Sequence, residues 1–131
     1  MIAPILAVLG LFMLQTLLPA TFRYLLAGRG VWPRLRVALG PRDSQPELSP
    51  LGGRAARALA NMNEAMPIFL ALALLHAQRP APDVLAMQGA WLFFLARLLY
   101  VPAYLSGVFG LRSALWAVGL AALVMMTVAL F

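Results

Sequence analysis

Long apolar runs separated by short polar breaks organise the chain, and they fall at about 2–26, 57–77, 84–109 and 112–131. Each approaches the roughly 20 residues that a helix needs to cross a hydrocarbon core of about 30 Å. The pattern predicts an all-α membrane protein, a four-transmembrane-helix bundle forming one domain over 1–131. The first run carries no charge before Arg23. No basic residue precedes it and no small-x-small cleavage motif follows, so a retained helix is expected rather than a cleaved signal. Pro67 and Pro102 fall inside the second and third runs. A bundle tolerates the bends they favour when neighbours repair the lost hydrogen bonds.

Three connections join the runs: a long Arg-, Gly- and Pro-rich segment at 28–53, and short turns at 78–83 and 106–112. The first and third must share one side of the membrane. Arg23, Arg29, Arg34, Arg36, Arg42, Arg54, Arg57 and Arg112 crowd that side, against Arg79 alone on the other. Basic residues near helix ends favour the cytoplasm. The 28–53 loop is therefore expected to be cytoplasmic and both termini non-cytoplasmic, in a multi-pass protein of a bacterial inner membrane.

Composition narrows the picture further. Only 11% of residues are charged and 63% are hydrophobic, where a soluble domain carries roughly a quarter charged. The net charge of +6 comes from arginines at helix ends and in one loop, a placement that fits anionic lipid head groups better than nucleic acid. With no cysteine, a disulfide, a thiolate metal site and a cysteine nucleophile are excluded. His76 is the one histidine; near an outward helix end it reads as interfacial rather than as a ligand, so no metal is expected.

Polar groups inside the runs carry the chemistry, because an ionisable residue within a bilayer is a site hypothesis by default. Arg57, Asn61 and Glu64 stand at i, i+4 and i+7 of one helix, and Arg97, Tyr100 and Tyr104 at i, i+3 and i+7 of the next. Each set shares one helix face. At 1.5 Å per residue, Glu64 lies roughly 10 Å inward of Arg57, and Arg97 roughly 15 Å inward of Gly107. That depth sets Tyr100 and Tyr104 level with Glu64 and Asn61, and the two stripes are expected to face one pocket open to the cytoplasm. Blander roles exist for every member: a structural Glu64–Arg97 pair, interhelical glue for Asn61, belt positions for the tyrosines. The whole set on two facing stripes favours a ligand pocket. Several guanidinium groups against one buried carboxylate suit an anionic ligand that also carries a cationic or amide group. A small zwitterionic peptide fits, and so does a phosphorylated lipid.

At these residues the chain resembles the MAPEG family, membrane-associated proteins of eicosanoid and glutathione metabolism, and is similar to its bacterial-type members. Arg57-Ala58-Leu59-Ala60-Asn61-Met62-Asn63-Glu64, followed by Pro67 and Phe69, matches the second-helix signature. Ala96-Arg97-Leu98-Leu99-Tyr100 with Tyr104, then Leu111-Arg112-Ser113-Ala114-Leu115-Trp116, matches the second motif. Ala65 stands where many members have Asn, and the interval from Tyr104 to Arg112 varies within the family. The resemblance implies a homotrimer that holds glutathione as co-substrate between subunits, near the cytoplasmic side. It implies that Arg57, Asn61, Glu64, Tyr100 and Tyr104 bind the tripeptide and that Arg97 partners Glu64 at the pocket base. Arg112 corresponds to the arginine that stabilises the thiolate, and Arg29 matches an arginine ending the family's first helix. The implied activity is conjugation of glutathione to a hydrophobic electrophile from the bilayer, or reduction of a peroxide. The competing class is a non-catalytic scaffold or lipid-binding subunit of the same fold; a transporter ranks third, since no repeat is visible.

Overall fold

The computed structural model describes residues 1–24, 30–32, 35, 39–40, 47–81 and 83–131. Arg29, half of the 28–53 segment and the expected end of the first helix at 25–26 lie outside the described residues. Among the described residues four long helices form the bundle: α1 (Ile2–Tyr24), α2 (Pro50–Ala77), α3 (Val84–Ser106) and α4 (Leu111–Val128). All four are long and apolar enough to span a membrane, and they run through Pro19, Pro67 and Pro102 without interruption.

The start of α2 differs from the sequence expectation near residue 57. Ser49 caps it, its hydroxyl accepting from the Gly52 amide at 3.1 Å, and Pro50 occupies the first turn. A serine cap followed by proline is a strong helix start, so α2 extends about two turns further toward the loop. Asp83 caps α3 in the same way, accepting from Ala86 N at 2.9 Å, and Gly107 closes it with a left-handed φ of 73°.

Helix α3 packs most closely against α4, α1 packs on α2, and contacts between α2 and α3 join the two pairs. Gly89 sets the α3–α4 distance: a Cβ there would lie 3.0 Å from the Ala122 carbonyl oxygen and 2.9 Å from Met126 Cγ. Beneath the polar stripes sits an apolar core including Val8, Met62, Phe69, Phe93 and Met126. Phe69 and Phe93 stack with centroids 4.7 Å apart and planes 8° from parallel, which locks α2 to α3 just below the site.

At the opposite end His76 is buried, not interfacial as its position in the sequence had indicated. Its Nε2 lies 2.8 Å from the Met126 carbonyl. Arg79 donates through Nη1 to the Ala129 carbonyl at 2.8 Å and through Nη2 to that of Leu130. These groups satisfy carbonyls that the end of α4 would otherwise leave unpaired.

Candidate functional site

The α2 and α3 stripes do face each other, but about one turn out of the expected register. Arg54 donates to the Leu105 carbonyl at 2.8 Å, the Arg57 guanidinium lies 6.0 Å from the Tyr104 ring, and Arg97 donates to Asn61 Oδ1 at 2.6 Å. Asn61 is therefore level with Arg97, and Arg57 with Tyr104. The longer α2 accounts for the offset, because Arg54 rather than Arg57 meets the end of α3.

Among the described residues the expected direct Glu64–Arg97 salt bridge does not form, although the two charges border the same cavity and attract each other. Arg97 spends its charge on Asn61, with its guanidinium 5.0 Å from the Phe93 ring and 5.6 Å from Tyr100. The α4 backbone at Gly119 passes close enough that a Cβ there would sit 3.4 Å from the guanidinium. Only 4% of Arg97 is exposed. It ties α2, α3 and α4 together, while its Nε remains buried without a partner. Glu64 lies on the exposed face of α2 and makes no hydrogen bond or ion pair among the described residues.

Three linked cavities run along this side. Asn61, Glu64, Ala65, Ile68, Arg97, Trp116, Leu120 and Leu123 line one of about 160 Å³. Trp116 also borders the next, of about 310 Å³, with Tyr100, Tyr104, Arg112 and Ser113. Tyr104, Arg112 and Ser113 then continue into a third of about 350 Å³, which Arg54 and Arg57 also line. The cleft thus grades from cationic at the α3–α4 turn to mixed polar and apolar at Glu64.

Tyr104 is the centre of the cationic part. Arg57 lies 6.0 Å from its ring and Arg112 5.4 Å, and Arg112 Nη1 is 3.4 Å from its hydroxyl. Tyr100 stands beside it, ring centroids 5.5 Å apart. Neither Arg57 nor Arg112 has a carboxylate partner among the described residues. Two guanidinium groups around one phenol leave positive charge uncompensated, an arrangement that invites an anionic ligand. The Glu64 carboxylate, without a hydrogen bond or salt bridge among the described residues, stands two turns deeper on α2 and can accept from an ammonium.

Arg57, Asn61, Glu64, Arg97, Tyr100, Tyr104 and Arg112 thus all border one cleft; Arg29 lies outside the described residues. Sequence reasoning missed Arg54, Trp116 and Gly119 as parts of this region. The Ser49-Pro50 helix start was the signal that could have brought Arg54 in. A separate cavity of about 560 Å³ near the start of α3 includes Val84, Met87 and Trp91. Its acid, Asp83, is engaged in capping α3. No cluster of metal-binding side chains occurs among the described residues.

The model of the MAPEG family matches residues 1–131. No curated protein and no solved structure matches the chain.

Proposed function

The chain belongs to the MAPEG family, and on that premise we propose that it binds glutathione in the α2–α3–α4 cleft and directs its sulfur at a hydrophobic electrophile or peroxide. Membership itself supports an integral membrane protein with a glutathione-related role. The observation that carries the finer reading is the uncompensated pair Arg57 and Arg112 around Tyr104, with Glu64 free two turns deeper. That donor set fits a tripeptide with two carboxylates, one ammonium and one thiol.

In this reading Arg57 and the tyrosine hydroxyls hold carboxylate and peptide groups, and Glu64 accepts from the ammonium. Asn61 has its oxygen committed to Arg97, which leaves its amide NH₂ to donate. Arg97 acts as the rigid base of the site. Arg112 faces the position for sulfur, where a guanidinium lowers the pKa of a thiol and favours the nucleophilic thiolate. Glutathione supplies the sulfur: in conjugation a new S–C bond forms as the electrophile's leaving group departs or its strained ring opens and takes up a proton. In the peroxide variant two thiols are oxidised to one disulfide while the O–O bond is reduced to alcohol and water.

Glu64 and Arg57 are exposed on α2. A carboxylate facing lipid is costly, which supports a homotrimer whose neighbouring subunit covers the cleft. The arginine asymmetry supports a cytoplasmic cleft with both termini on the non-cytoplasmic side of an inner membrane. An enzymatic reporter fused after Phe131 is then expected to be active outside the cytoplasm, and cytoplasmic activity would reverse the orientation.

Titrating purified protein with glutathione tests the binding directly. Saturable heat of binding is expected, together with thiolate absorbance at a lower pH than for free glutathione. Binding with an unshifted thiol titration would favour the non-catalytic scaffold, and no binding would remove the proposal.

A further inference from the structure

Outside the tripeptide-binding set, one half-buried contact reaches the turn that launches Arg112. The α3–α4 turn has two glycines with positive φ, Gly107 at 73° and Gly110 at 78°. Gly110 is the N-cap of α4 and offers no side-chain hydrogen bond to it. The other polar contacts within the turn are local, such as Ser106 Oγ to Ala103 O at 3.0 Å and the long Val108 N to Ser106 Oγ contact at 3.4 Å. Arg54 of α2 reaches across to this end of α3, donating to the Leu105 carbonyl at 2.8 Å across 51 positions of sequence. Its guanidinium also fills the space above Gly107, where a Cβ would meet Nη1 at 2.8 Å and Cζ at 3.0 Å.

We infer that Arg54 is a positioning residue: by pinning the Leu105–Gly107 end of α3 to α2, it holds Arg112 against Tyr104. The inference rests on the proposed thiolate role of Arg112. Geometry gives the reason. Tyr104 precedes the pinned carbonyl by one residue, and Arg112 lies in the first turn of a helix whose own start is weakly capped. With the pin removed, two glycine hinges are free to rotate between them. Displacing a catalytic group by about 1 Å can cost ~10²-fold in rate. Glutathione affinity depends on Arg57, Glu64 and the tyrosines, which the α2 and α3 bodies still hold.

The test uses full-length protein with Arg54→Gln, Arg54→Lys and Gly107→Ala. Arg54→Gln is expected to lower kcat about 10- to 100-fold with little change in KM for glutathione. Arg54→Lys should recover part of kcat, because an ammonium reaches the carbonyl without filling the Gly107 face. Gly107→Ala, which strains the left-handed φ and also pushes on the same guanidinium, should lower kcat as well. The chain has no cysteine, so a spin label at Phe109→Cys reports the turn without any turnover. Phe109 is fully exposed, and its label should become more mobile in Arg54→Gln. A raised KM with unchanged kcat would make Arg54 a direct ligand contact and overturn the inference. An unchanged label spectrum, or unchanged kcat, would overturn it as well. Wild-type protein that binds no glutathione would instead sink the functional reading, while the label still reports whether Arg54 holds the turn.

Discussion

Arg112→Ala is expected to cut turnover by ~10²–10³-fold, the usual loss for one preorganised electrostatic group, while most glutathione affinity survives. Arg57 and Glu64 lie on α2 and Tyr100 and Tyr104 on α3, on helices other than the one that carries Arg112. The guanidinium touches only Tyr104 among the described residues, by a 3.4 Å contact to the hydroxyl and a face-on approach at 5.4 Å. Without it the sulfur loses its nearest cation and stays protonated near neutral pH. Thiolate absorbance of bound glutathione should accordingly move to higher pH in the variant. Steady-state kinetics with a model electrophile, read beside that titration, check both halves. Unchanged turnover in Arg112→Ala would transfer thiol activation to another group, with Tyr100, which lines the same cavity, the next candidate.

The second large effect concerns stability. Asn61→Leu is expected to destabilise the fold by on the order of 3 kcal/mol, because it strips a buried guanidinium of its hydrogen-bond acceptor. Arg97 makes no salt bridge among the described residues, and its Nε already lacks a hydrogen-bond partner. Replacing both residues, Asn61→Leu with Arg97→Met, should restore much of the loss, since no charge then remains to be satisfied. Glu64→Gln should leave the melting temperature nearly unchanged and weaken glutathione binding instead. Thermal unfolding in detergent separates the three. A double variant that melts no higher than Asn61→Leu alone would mean that the 2.6 Å contact does not brace the helices.

Hydropathy made four spans legible, because lipid imposes length and apolarity on each of them separately. The stripes were legible for a similar reason: Arg57, Asn61 and Glu64 share a face by helical spacing whatever lies opposite. Register across helices was not, since it depends on where α2 begins, and the Gly52-Gly53-Arg54 stretch resembles loop. Charge matching then pointed to Glu64 as the partner of Arg97. The actual register gives Arg97 to Asn61, and a neutral acceptor at the right level outcompetes a carboxylate a turn away. His76 looked interfacial because carbonyls at a helix end have no signature in sequence. Arg54 was hidden for the same reason.

Trp116 and Leu120, on the wall that joins two of the cavities, are both exposed on the outer side of α4, at 45% and 46%. In the proposed function the neighbouring subunit covers the α2 side at Glu64 and the α4 side opens to hydrocarbon, where a hydrophobic electrophile would arrive by lateral diffusion in the plane of the bilayer. Its effective concentration is then a mole fraction among lipids, set by partitioning and by the amount of membrane present. Buffer volume drops out once partitioning is complete, and adding inert lipid dilutes the compound as surely as removing it.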